Sequence, residues 1–339
     1  MTEKFGQNKL KIVGKIDLSQ FEKKKTDSFE KRKNNYEILD NSLKAMAEKV
    51  NAEYGYFLKP DGSIDMMADD YLFSNKGVDM EYIVDKEKIF ASKDGLGREQ
   101  WAEKREQSPG IVTEKLLTLV LHKFLGDNFI VARTATFDDY YHGVDNLIID
   151  KETGTPICGF DEMGADEETS YRQKGEKIYN SIIKRNGVYV KYGATIRHES
   201  EEPNPAGELY KKSLKNVPAF YLSMGKEDLN ALLPLVGQDG KSAAELAVFE
   251  RLLRSIETQL GSLYKDYINL DRDLAARRHE LLLEQEELKD RLGDPDWSQT
   301  NEGRNWKWRM GKNNLRLNIK NFQKSLDKMK AILEKNKTA

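Results

Sequence analysis

From about residue 243 onward, apolar positions recur in alternating steps of three and four: Leu246, Phe249, Leu253, Ile256, Leu260, Leu263, Tyr267, Leu270 and Leu274, with Leu281 and Leu288 continuing the seam. This is the a/d spacing of a coiled coil. After a break at "GDPDW", residues 293–297, the same alternation returns at Leu315, Ile319, Phe322, Leu326, Met329 and Leu333. The spacing predicts an antiparallel helical hairpin over 243–337. Its first arm turns acidic towards the end ("EQEELKD") and its second is basic, so the arms attract each other. Two readings of "RNWKWRMGKNNLRLNIK" follow: a solvated arm whose two tryptophans pack against the mate helix, or a basic, aromatic surface for nucleic-acid phosphates and bases. The first arm is the longer, which leaves seam residues for a homodimer or a protein partner.

Upstream the periodicity changes. Residues 1–105 begin polar and lysine-rich ("FEKKKTDSFEKRKNN") and then show helical spacing at Ile38, Leu43, Met46 and Val50, before "KPDGS" marks a turn. Over 106–236 strand-like and helix-like runs mix. "SPGIVTEKLLTLVLHKFLGDN" has a Ser-Pro-Gly start and an apolar side formed by Ile111, Leu116, Leu119, Val120 and Phe124, with Glu114 placed in its first turn. "FIVARTATF" and "VDNLIID" read as strands, and "KETGTP" as a turn into a third, "ICGFDEM". A helix, "SYRQKGEKIYNSIIKRN", closes at Gly187 and leads into the strand "VYVKYGATI". The order helix, three strands, helix, strand predicts a small mixed α/β (α+β) sheet with a helix on either side. "NVPAFYLSMGKEDLNALLPLV" follows as a strand and short helix that extend the sheet and end the globular part.

Composition narrows the setting. The chain of 339 residues is 38% hydrophobic and 33% charged, which suits one core with long solvated helices. Its net charge of −2 is unevenly spread, and its single cysteine, Cys158, excludes an internal disulfide framework and suits a reducing compartment. No apolar run approaches the roughly 20 residues of a membrane span, and "MTEKFGQNKLKIV" lacks the apolar stretch of a signal peptide. A cytoplasmic protein with no membrane partner is expected. "GQDGKS" has two residues between its glycines where a phosphate loop has four, and the four histidines lack zinc-ligand spacing. His142 and Cys158 read as a turn residue and a packing residue. Arg197, Lys211 and Lys212 suggest either a phosphate path or an ordinary solvated face.

Acids stand at the ends of two strands that otherwise read as buried: Asp145 after Gly-Val in "DDYYHGVDNLIID", and Asp161 in "PICGFDEMG". Glu162 faces away from Asp161 in a regular strand and reads as a loop acid, unless a bulge exchanges the two. With the order of elements, this placement resembles the PD-(D/E)XK nuclease superfamily, over roughly residues 106–195. The resemblance implies a restriction-endonuclease-like αβββαβ core and Mg²⁺-dependent cleavage of DNA or RNA. Asp145 would match the first motif acid, Asp161 the second, and Glu114 the acid often carried by the first core helix. The motif proline is Val144 here, and the lysine expected two residues after Asp161 is Met163. Some members of the superfamily carry that lysine on the following helix, where this chain offers Lys174, inside the stripe of Tyr171, Ile178 and Ile182, and Lys177 nearer its edge.

The chemistry accounts for these residue types. A hard cation such as Mg²⁺ or Mn²⁺ takes oxygen ligands, so convergent carboxylates can hold it against a phosphate, where it activates a bound water and neutralises developing charge. A nearby lysine orients the water. Two functions follow: a metal-dependent nuclease with Asp145, Asp161 and Glu114 on the metal and Lys174 in support, or an inactive nuclease fold acting in nucleic-acid binding or coiled-coil assembly.

Overall fold

A computed structural model describes residues 18–69, 71, 75–165, 168–197, 207–263, 274–292 and 296–338; within these, the side chains of 18–33, 163–165, 168–172, 174, 177, 181, 183, 274–276, 292 and 296 lie outside the description. Helix α1 (Leu18–Tyr54) is followed by α2 (Lys76–Lys93), α3 (Arg98–Glu106) and α4 (Pro109–Leu125). The Ser108 hydroxyl caps α4 by accepting from the Ile111 N–H at 3.4 Å, with Pro109 in the first turn, where its missing N–H costs nothing. Both sides of α4 are buried, at Ile111, Val112, Leu116, Leu117, Val120, Leu121, Phe124 and Leu125. Glu114 lies beyond the first turn, so its partner is a side chain rather than the helix dipole.

The sheet forms from β1 (Phe129–Arg133), β2 (Asn146–Asp150), β3 (Pro156–Ala165) and β6 (Ala219–Gly225), in the order β1-β2-β3-β6. The first three strands run antiparallel to their neighbours, and β6 is parallel to β3. Between β1 and β2 the chain makes a short helix, α5 (Thr136–His142), where the end of the first strand and a turn are expected from the sequence. Asp138 and Asp139 occupy its first turn, where carboxylates favour the helix dipole, and Gly143 at φ 66° closes it in a left-handed turn.

A second difference concerns the last strand of the core. Helix α6 (Glu168–Arg185) leads to β4 (Val188–Arg197), which pairs not with the sheet but with β5 (Glu208–Val217) in a separate antiparallel ladder. The strand that completes the sheet is β6. Its buried alternation, Phe220, Leu222 and Met224, fits a covered strand, whereas the lysines of β5 leave that strand half solvated. The order is therefore α4, three strands, α6, an inserted hairpin, and the closing strand. After α7 (Lys226–Leu232) come α8 (Ala243–Leu263), α9 (Leu274–Leu292) and α10 (Asn301–Lys337).

The C-terminal seam is largely buried as its spacing predicts, at Phe249, Leu253, Ile256, Leu260 and Leu263 on α8 and at Leu315, Ile319, Phe322, Leu326, Met329 and Leu333 on α10. Tyr267 and Leu270 lie outside the described residues. The seam is not self-contained, because Phe322 meets Phe220 of β6 at 4.8 Å and Phe249 stacks on Phe124 of α4 at 4.5 Å. One hydrophobic core runs from Leu39 on α1 through the sheet to Leu333 on α10. A smaller cluster, Leu281, Leu288, Trp297, Trp306 and Met310, joins α9 to the start of α10. Trp306 packs there and donates its indole N–H to the Leu281 carbonyl at 2.6 Å, while Trp308 is 48% exposed, so only one of the paired tryptophans is packed. No described helix is long and apolar enough to cross a membrane.

Candidate metal centre

Strand β1 ends at Arg133, and "KPDGS" explains what that arginine meets. Gly62 turns the chain at φ 76°, and the turn is fastened to the strand end by Arg133 N–H to Gly62 O at 3.0 Å and Ile64 N–H to Arg133 O at 2.8 Å. Asp61 is thereby brought to 3.7 Å from the guanidinium. The same guanidinium reaches Glu114 of α4 at 3.3 Å. Arg105, at the end of α3, pairs with Asp139 of α5 at 3.1 Å. Two arginines thus face the carboxylates from the outer elements.

Asp145 sits one residue before β2, held by its N–H to the Phe160 carbonyl at 2.7 Å and by the Thr134 N–H on its own carbonyl at 2.8 Å. Its carboxylate accepts from the Glu162 N–H of β3 at 2.5 Å. The β2–β3 register pairs Asn146 with Phe160, so Asp145 and Asp161 follow on the next rung. Asp145, Asp161 and Glu162 are all buried, at 8%, 4% and 2% exposure. Glu162 is therefore a strand residue of the cluster and not a loop acid: β3 continues to Ala165, and no turn intervenes at Glu162.

Electrostatics show how closely these groups sense one another. Burial first, then the charges of Glu114, Asp139, Asp161 and Glu162, hold the Asp145 carboxyl well above the usual carboxylate range. Burial and then Glu114 do the same to Glu162, with the Asn146 side chain acting in the opposite sense. Glu114 is raised by burial and Asp139, and Asp139 by burial, although Arg105 and Arg133 pull both down. Five carboxyls, Glu114, Asp139, Asp145, Asp161 and Glu162, thus gather beside two guanidiniums in a place where charge is expensive.

The donor set is all oxygen, which suits a hard divalent cation. In the geometry as it stands, no three Asp, Glu, His or Cys side chains among the described residues close into a metal-holding group. The Glu114 and Asp139 carboxylates are turned onto Arg133 and Arg105, and that of Asp145 onto the Glu162 N–H. Of the residues the sequence singles out, Glu114, Asp145 and Asp161 come together. Lys174 and Lys177 lie on α6, with their side chains and that of Met163 outside the description. The inward side of α6 includes Gly175, where an added Cβ would lie 3.1 Å from the Tyr221 ring, and the buried Ile178 and Ile182.

Four members of the site escape a reading of the sequence. Asp139 is hidden in what looks like a turn, Glu162 by strict strand alternation, and Arg105 by its distance along the chain. Arg133 does carry a signal, as a cation closing the otherwise apolar run of β1. His142 ends α5 rather than forming a turn, and burial lowers its pKa to about 4, while Cys158 is buried with its thiol pushed up, as a packing role requires. Compared with protein-family models, curated proteins and solved structures, the chain matches none.

Proposed function

We propose that this chain is a metal-dependent nuclease with a restriction-endonuclease-like core, hydrolysing phosphodiester bonds of DNA or RNA. The observation that carries the reading is the gathering of Glu114 of α4, Asp145 at the entry to β2, and Asp161 and Glu162 of β3 into one buried cluster of acids. An order of α4, β1, β2, β3, α6 and β6 supports it, with the β4–β5 hairpin as an insertion before the last strand. In this reading Asp145 and Asp161 hold Mg²⁺ or Mn²⁺, and Glu114 and Glu162 assist once Glu114 leaves Arg133. The ion, when bound, supplies an activated water and neutralises charge at the phosphate. Arg133 holds Glu114 in place until then, and Lys174 on α6 orients the water or the phosphate, the part that Met163 cannot play.

A second reading keeps the fold and drops the turnover: an inactive nuclease fold that binds nucleic acid or assembles through its C-terminal helices. Met163 at the motif position and the absence of a closed three-ligand group among the described residues favour it. The two separate on incubation of the purified protein with labelled single- and double-stranded DNA and RNA, with Mg²⁺, Mn²⁺ or chelator. The nuclease reading expects cleavage that needs the metal and disappears in Asp161→Ala; absence of metal-dependent cleavage on every substrate sinks it.

A further inference from the structure

Two depressions lie along the β4–β5 hairpin and share Lys215. One, of about 350 Å³, is lined by Tyr141, Arg185, Tyr189 and Lys215 with His142 in its wall. The other, of about 430 Å³, is lined by Arg197, Lys212 and Lys215 and by the turn between β2 and β3. Neither has an aspartate or glutamate among its lining residues, in a chain with 57 acids and 55 lysines and arginines. Several cations elsewhere are paired with carboxylates, among them Lys115, Lys123, Arg133, Lys151 and Lys191. Among the described residues Arg185, Arg197, Lys212 and Lys215 make no salt bridge. Glu208 is the cross-strand partner of Arg197, yet the Arg197 guanidinium lies over the Tyr210 ring at 3.7 Å instead.

Aromatic surface accompanies the charge. Tyr141, in the lining of the first depression, is 60% exposed. Cations without a carboxylate partner beside an exposed ring suit a flexible phosphate chain with unstacked bases; bases inside a duplex offer no free face to stack. The position is also suitable, since the three residues from His142 to Asp145 span at most about 11 Å.

We propose that this track binds single-stranded nucleic acid, with Tyr141 and Tyr189 taking a base and Arg185, Lys215, Lys212 and Arg197 the phosphates, and so delivers an unpaired strand to the acid cluster. The choice of nucleic acid over another polyanion rests on the nuclease reading. The test is fluorescence anisotropy in chelator, which prevents cleavage, with labelled single-stranded DNA and RNA about 12 nucleotides long, the matching duplex, and polyglutamate as competitor. Single strands should bind more tightly than duplex, and Tyr141→Ala should weaken them about tenfold. Lys212→Ala with Lys215→Ala should flatten the slope of log affinity against log salt by about 1.4, the loss of two phosphate contacts. These side chains are wholly or partly exposed, and thermal unfolding checks that the variants fold. Unchanged binding in both variants, or equal binding of duplex or polyglutamate, overturns the proposal. Asp161→Ala keeps the two readings apart: track-dependent binding without metal-dependent cleavage refutes only the nuclease, and cleavage with binding indifferent to the track refutes only the track.

Discussion

Asp145 occupies a position where an ionised carboxylate lowers stability: it is buried, and Glu114, Asp139, Asp161 and Glu162 all raise its pKa. A residue that costs stability at neutral pH is selected for something other than folding. Asp145→Asn keeps an oxygen for the Glu162 N–H and removes the charge. It should stabilise the protein at pH 8 by about 1 kcal/mol or more, since one pKa unit is worth about 1.4 kcal/mol, read from denaturant unfolding. A destabilised variant would mean that the carboxylate is structural. The pH dependence follows from the same groups. A carboxyl whose folded pKa lies above its unfolded one costs nothing below the unfolded value of about 4, and costs increasingly as pH rises through the folded value. Asp138, raised to about 7 by burial, adds to Asp145 and Glu162 in that direction. His122 and His142, lowered to about 4, oppose it only as pH falls below their unfolded value of about 6.5. The Tm should therefore rise from pH 8 to pH 6.5, and rise less in Asp145→Asn. At this scale the acids at strand ends are legible in the sequence because they interrupt apolar runs. Glu162 is not, because its place in the cluster comes from the continuation of β3 and the Asp145 contact rather than from alternation.

Elements show a similar division. Periodicity is enough for the α8 and α10 seams and for the placing of α4 and α6, although α4 is buried on both sides rather than on the one its spacing marks, and of the α6 stripe Ile178 and Ile182 are buried while the Tyr171 side chain lies outside the description. It fails for α5, seven residues long and too short to display a period, and for β5, whose exposed lysines give no apolar signal. Missing β5 makes β4 look like the last strand of the sheet, when β4 has its partner in β5 and the closing strand is β6. One glycine ties this hairpin to the sheet. Gly154, at φ 65° in the β2–β3 turn, accepts on its carbonyl a hydrogen bond from the Ile196 N–H of β4 (2.9 Å), and a Cβ there would lie 1.9 Å from the Ile196 carbonyl oxygen. Gly154→Ala should cost about 2–3 kcal/mol through backbone strain and displacement of the hairpin, measured by denaturant unfolding. Loss of less than about 0.5 kcal/mol, the scale of an ordinary surface change, would show that the turn and the hairpin are not coupled.

Across the whole molecule, the three segments that the sequence suggests, 1–105, 106–236 and 243–337, contribute to one core. Composition cannot reveal this, because a coiled-coil seam and a helix laid on a sheet present the same apolar stripe. Phe322 against Phe220 and Phe249 against Phe124 decide between them. The N-terminal helices have a role as well: α3 supplies Arg105, and the turn after α1 supplies Asp61 to Arg133, so the acid cluster is enclosed by segments far apart in the chain. The most direct test of the central claim is calorimetric titration of Mg²⁺ into the protein at pH 7.5, in buffers of different ionisation enthalpy. Carboxyls with raised pKa must give up protons to bind the ion, so the account predicts saturable binding with proton release, lost in Asp145→Asn and in Asp161→Asn. Absence of Mg²⁺ binding, or binding that both variants leave unchanged, would contradict it.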